Sequence, residues 1–274
     1  MNYAEYEERI RSVKEYADFF TVGYSLLSQP IYGAHVGSYA DRQVIVQAAI
    51  HAREYLTTLL AVELTKYYAT RPFGGGAYFI YNVNPDGVRF VLDGTGYVPC
   101  AKLREYLLSV NGGDDFSLYK ANANAVDMNT NFDAKWGGGA QNVRCPSPEN
   151  FIGYYPMSER EVNVLAEFTK EIMPFATLSY HTKGEVIYYG FEGQNEESLE
   201  RDEAIAYRLS AVTGYTPLLT ARSTGGYKDW CVEKFDIPAF TIEVAPQSAP
   251  HPVGEEYLPE IFEQNKNVLP TLLE

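Results

Sequence analysis

Two of the four histidines end runs that read as buried strands: His51 closes "VIVQAAIH" and His181 closes "ATLSYH". Strand ends are where sites gather in layered α/β proteins. Three residues beyond His51 stands Glu54, in "HARE". A strand ending in a turn can fold His51 and Glu54 back onto one ion, and imidazole with carboxylate suits zinc. Taking His181 as a distant third ligand leaves a fourth position open, as metal-assisted chemistry requires. The His-x-x-Glu pair alone is a common accident of helices. Glu243 in "AFTIEVAP" is a carboxylate inside an apolar strand, which is costly unless paired or used. It is either an edge-strand residue facing water or a general base acting on water. Nucleophilic alternatives have less support. No G-x-S-x-G elbow occurs, and Cys100, Cys145 and Cys231 lie outside recognisable nucleophile signatures. "FGGGAY" lacks the lysine and following helix of a phosphate loop.

To bring these residues together the chain needs alternating strands and helices. The pattern predicts a helix over 3–18, a hairpin over 21–37, a strand over 42–50 and a helix over 54–69. A strand over 76–83 then stops at the turn "NPDG" (84–87). Ser158 and Glu161 have the spacing of a capping box opening a helix to about 172. Strands over 175–181 and 184–190 follow, then helices near 196–213 and 227–235, a strand over 238–244 and a closing helix over 255–273. This alternation implies an α/β sandwich with a largely parallel or mixed sheet. No linker, repeat or charge block divides the chain, so residues 1–274 read as one domain.

Composition narrows the function. A net charge of −14 argues against nucleic-acid partners and basic lipid-binding patches. No stretch approaches the ~20 apolar residues of a membrane span. The start, "MNYAEYEERIRSVKEY", lacks the apolar run of a signal peptide, so a cytoplasmic location is expected, with export of a processed form left open. Three widely spaced cysteines suggest no disulfide framework. The 23 tyrosines suit half-buried strand packing, or else a polar, stacking-rich cleft. "ANANAVDMNTNFD" (121–133), rich in Asn and Asp, reads as a surface loop. The sequence is silent on oligomeric state.

Six motifs, "IHAREYLTT", "NVNPDG", "VDMNTNF", "SYHTKGEVIYY", "TGGYKDW" and "FTIEVAP", resemble in content and order those of the zinc carboxypeptidases, from about residue 20 to the end. The resemblance implies a single α/β/α sandwich around a mixed, about eight-stranded sheet. It implies that His51, Glu54 and His181 bind Zn2+, that Glu243 is general base and acid, and that Asp127 orients the first histidine. Arg53 matches an arginine of the substrate subsites. There are departures. The family's Asn-Arg pair for a terminal carboxylate is here Asn129 followed by Thr130. The arginine that polarises the scissile carbonyl aligns with Asn124, and a tyrosine that closes over substrate is replaced near Ala221. Losing a bidentate guanidinium is not a conservative change.

Among bacterial branches the chain looks most like γ-D-glutamyl-meso-diaminopimelate peptidases. Lys228 falls where the family sets side-chain specificity, and Arg222 in the preceding loop is a candidate relocated clamp. Lys183, Lys120 and Arg144 are further cations on the same logic, and ordinary surface charge is the alternative for all of them. The leading expectation is a zinc peptidase acting on peptidoglycan stem peptides. An ordinary carboxypeptidase with a rearranged carboxylate clamp, and a zinc- and peptide-binding homologue without turnover, are the other two readings.

Overall fold

In the computed structural model, which describes residues 1–220 and 222–274, the apolar runs assemble into an eight-stranded mixed sheet. The strands are β1 (Asp18–Tyr24), β2 (Pro30–Gly37), β3 (Gln43–Ala48), β4 (Gly76–Ile80), β5 (Ala176–Thr182), β6 (Val186–Tyr189), β7 (Thr216–Leu219) and β8 (Ala239–Val244). Their spatial order is β1-β2-β4-β3-β5-β8-β6-β7. The centre, β4-β3-β5-β8, is parallel, and the outer pairs β1/β2, β2/β4 and β6/β8 are antiparallel. Strands covered on both faces read as continuous apolar runs, which is why β3 and β5 stood out.

Helices cover both faces. Val44, Val46, Leu178 and Tyr180 pack on one side with α1 (Tyr3–Arg11), α2 (Leu56–Ala69), α6 (Glu196–Thr213), α8 (Leu258–Asn265) and α9 (Val268–Leu273). Ile45 and Ala239 face the other side, under α5 (Arg160–Ile172) and α7 (Tyr227–Phe235). A third cluster around Phe90, Phe116 and Tyr119 is built by α3 (Pro85–Asp93), α4 (Ala101–Asn111) and the loop after it.

Four local expectations need correction. The helix expected over 3–18 ends at Arg11 and gives way to a 3-10 turn, Ser12–Glu15, before β1 begins. "NPDG" does not close a turn but opens α3. Asn84 Oδ1 accepts the Gly87 N–H (3.0 Å), and Pro85 takes the first helical position, where it has no amide to lose. The closing helix is two, α8 and α9. A continuous helix would need an amide from Pro270, so the chain restarts with Pro270 in a first turn.

Nor do Ser158 and Glu161 form a capping box. The N-cap of α5 is Glu159, and Ser158 Oγ donates to Glu159 (2.7 Å). The Glu161 carboxylate instead accepts the Leu26 N–H of the β1–β2 turn (2.9 Å), while Asp86 accepts the neighbouring Leu27 N–H (2.9 Å). Burial pushes Glu161 up to about 7 and Asp86 up to about 6, against the pull of these hydrogen bonds. A carboxyl raised on folding favours the native state below its unfolded pKa of about 4, and that benefit is lost as pH rises through the native value. Stability to denaturant is therefore expected to fall between about pH 4 and pH 7. Glu161→Gln should flatten that slope by on the order of 2–3 kcal/mol, read from urea midpoints at the two ends.

Candidate active site

The central strands β3, β5 and β8 run parallel and end at the same edge of the sheet. Beyond β3 the chain passes Ala49, in the left-handed region (φ 49°), and reaches His51 at the head of a 3-10 turn, Ala52–Glu54. That turn folds Glu54 back beneath His51. His181 arrives near the end of β5, and Glu243 near the end of β8 is its neighbour in register.

The three sequence-predicted ligands meet. His51 Nδ1 lies 3.0 Å from Glu54 Oε1, and His181 Nδ1 lies 2.9 Å from Glu54 Oε2 and 3.0 Å from His51 Nδ1. One ligand atom from each falls within 4.8 Å of the others, and all three side chains are buried. Two imidazole nitrogens and a carboxylate oxygen turned toward one point are a donor set suited to zinc. Burial opposes charge on Glu54, but the two imidazoles hold its carboxyl well below the ordinary range.

Asp127 backs this cluster. Its Oδ1 lies 3.1 Å from His51 Nε2 and accepts the Asn129 N–H (3.1 Å); Oδ2 accepts the Asn150 N–H (3.2 Å) and pairs with Lys120 Nζ (3.1 Å). An anion on Nε2 fixes the tautomer that leaves Nδ1 free to ligate. Burial works against its charge, yet Lys120 and His51 hold its carboxyl well below the usual range. Glu243 takes no part in the donor set. Burial, opposed by His181 and reinforced by Glu54, pushes it up to about 7, the range of a working proton acceptor.

These groups open into a cleft of about 510 Å³ lined by His51, His181, Asp127, Lys120 and Glu243. The model of a family described as zinc carboxypeptidase matches residues 3–268. The chain belongs to the zinc carboxypeptidase family. It is 34% identical over 255 residues to "Gamma-D-glutamyl-L-diamino acid endopeptidase 1" of Lysinibacillus sphaericus, an alignment covering 85% of this chain and 62% of that relative. The chain thus spans under two thirds of that relative's length. The fold is shared with bovine thrombin-activatable fibrinolysis inhibitor in complex with tick carboxypeptidase inhibitor (TM-score 0.77, 18% identity, 99% of this chain and 94% of that one). It is shared too with murein-tripeptide amidase MpaA from Escherichia coli O157 (TM-score 0.62, 19% identity, 92% of each chain). The mixed eight-stranded sheet is that of zinc carboxypeptidases.

The substrate-binding expectations divide. Asn129, Thr130, Arg222 and Lys228 line the cleft, whereas Arg53 and Asn124 are not among its lining residues. Arg53 is engaged with the Leu118 carbonyl (3.2 Å) and Glu149 (3.3 Å). Asn124 is exposed and gives its amide to Glu159 (2.9 Å), so the structure does not bring it to the position expected for a carbonyl-polarising group. Asn129 accepts the Tyr227 N–H (3.1 Å), and Thr130 Oγ1 donates to the Asp127 carbonyl (2.8 Å). Gly225 of "TGGYKDW", at φ 81°, lets that loop press on Thr130; a Cβ there would sit 2.6 Å from the Thr130 carbonyl oxygen. Lys183 is tied to the Ala249 carbonyl, and Arg144 to the Gly137 carbonyl (2.9 Å) beside Trp136. Ala221 lies outside the described residues. The cation that sequence reasoning underweighted is Lys120, largely buried and held on Asp127.

Proposed function

We propose that this zinc carboxypeptidase relative hydrolyses the amide bond between a γ-D-glutamyl unit and a diamino acid in peptidoglycan stem peptides. The observation that carries the hydrolytic part is the meeting of the His51–Glu54–His181 donor set and a recessed Glu243 in one cleft. The substrate class is supported by the relative at 34% identity, named for that bond, and by the fold shared with a murein-tripeptide amidase.

His51 Nδ1, His181 Nδ1 and Glu54 would hold zinc. When bound, the metal supplies Lewis-acid chemistry, acidifying water and polarising a carbonyl. Glu243 accepts the proton of the attacking water and returns it to the leaving amine. Asp127 holds His51 in its ligating tautomer, and Lys120 presents a positive charge to the cleft.

Incubation of L-Ala-γ-D-Glu-diamino acid tripeptides, with products read by mass spectrometry, tests this. Release of the diamino acid is expected. Trimming of ordinary α-linked C-termini without γ-glutamyl cleavage would establish the ordinary-carboxypeptidase reading instead. Zero turnover on both, with metal bound, would leave a binding homologue.

A further inference from the structure

Asn122 lies in the loop between Lys120 and Asp127, fully buried, with each of its hydrogen-bonding groups engaged. Its amide N–H donates to the Val126 carbonyl (2.9 Å), and its Oδ1 accepts the Asn124 and Val126 N–H groups (3.0 and 3.1 Å). The bonds to Val126 cross-link the leg of the loop that follows Lys120 to the leg that leads into Asp127. The Asn122 carbonyl accepts the Ala125 N–H (3.0 Å) and the Tyr119 hydroxyl (2.8 Å). Its Nδ2 donates to Glu159 Oε2 (2.7 Å) and, at 3.4 Å, to Glu161 Oε2. Glu159 is buried at the head of α5, where a helix end favours an acidic side chain. Its oxygens accept three neutral side-chain donors: Ser158 Oγ (2.7 Å), Asn122 Nδ2 and Asn124 Nδ2 (2.9 Å). Neither Asn122 nor Glu159 is among the residues lining the cleft.

We infer that Asn122 and its anchor Glu159 are positioning residues, which hold this loop so that Lys120 and Asp127 meet beside the His51–Glu54–His181 cluster. For turnover the inference rests on the hydrolytic reading above; for zinc affinity it rests on the donor set alone. Residues 121–127 form neither helix nor strand, so no regular backbone ladder sets their shape. Main-chain bonds pin only the two ends: the Lys120 carbonyl accepts the Ala52 N–H (3.1 Å), and the Asp127 N–H donates to the Phe151 carbonyl (2.8 Å). Asn122 fixes the separation between those ends. Asp127 faces His51 Nε2 and pairs with Lys120 Nζ, so a shift of either leg disturbs both contacts. Misplacing a group by about 1 Å costs on the order of 10²-fold in rate. Losing the outer support of a metal ligand costs about 10–100-fold in metal affinity or activity.

The test is a double-mutant cycle on kcat at saturating zinc, together with competition titration of zinc into the metal-free protein. Glu159→Gln keeps the volume and removes the charge that holds both carboxamides, and Asn122→Ala removes the cross-link itself. Each is expected to lower kcat by about 10-fold and to weaken zinc binding by about 10-fold. In a Lys120→Met background neither should lower kcat by more than about 2-fold further, because no ammonium is left to place. A side chain that only stabilised the fold would cost the same factor in both backgrounds, and that additivity overturns the inference. So does an E159Q protein with wild-type kcat and zinc affinity. Thermal melts report folding, and E159Q alone decides the matter where N122A does not fold. A wild type without turnover overturns the hydrolytic reading instead; the zinc titration then decides the inference, and unchanged affinity in E159Q overturns it.

Discussion

Replacing Glu243 by glutamine is expected to lower kcat by about 10³-fold while leaving metal stoichiometry unchanged. The substitution keeps the volume and one carbonyl oxygen but removes the ability to take up a proton. General-base catalysis contributes about 10²–10⁴-fold, and the two carboxylates at the donor set are already engaged. Glu54 is committed to the donor set, and Asp127 to His51 and Lys120. Because Glu243 is not one of the converging ligands, metal content should match the wild type by elemental analysis. The same variant carries a pH signature. Glu243 works only when deprotonated, so wild-type kcat/KM rises with pH through its pKa, and E243Q should lose that acid limb. Bound zinc, a nearby positive charge, moves the limb below the value near 7 that burial sets in its absence. If E243Q kept wild-type turnover, Glu243 would be a strand residue whose carboxyl merely tolerates burial.

The donor set was legible because residue type and placement agreed: histidines closing buried apolar runs, one with a glutamate three residues on. Glu243 was legible because a carboxylate in an apolar strand needs a reason. The segment 121–133 reads as a surface loop, whereas it carries a 3-10 turn, Met128–Thr130, and is largely buried. Asn122 Oδ1 accepts the amides of Asn124 and Val126 (3.0 and 3.1 Å), and this turn swings the Asn124 side chain onto Glu159. No spacing rule announces which side of such a turn meets the cleft, so Lys120 was ranked low. Two elements left little trace. The helix α4 buries only Leu107 fully, and β7 is a four-residue edge strand containing Pro217, tolerated there because an edge amide has no ladder partner to lose. Both lie at the periphery, where a weak apolar signal is enough.

Lys120→Met should lower kcat by about 10²-fold, and Lys120→Arg should restore much of it. Developing negative charge on a carbonyl oxygen needs a donor already in place, and removing one typically costs roughly 10²–10³ in rate. Asn124, which the resemblance places in that role, is turned away, whereas the Lys120 ammonium lines the cleft and, among the described residues, pairs with Asp127 alone. Burial opposes its charge, but Asp127 and Glu54 hold it above the usual lysine range, so it stays cationic at any working pH. Methionine preserves the stem and removes the charge, while arginine keeps the charge in a wider fork. A lysine that only steadied Asp127 would act through His51: its loss would weaken metal binding, and excess zinc would restore turnover. A lysine facing the reacting carbonyl leaves metal content intact, lowers kcat more than it raises KM, and is not rescued by zinc. Measuring kcat, KM and bound metal in K120M with and without added zinc separates the two, and zinc rescue would exclude direct contact with the reacting carbonyl.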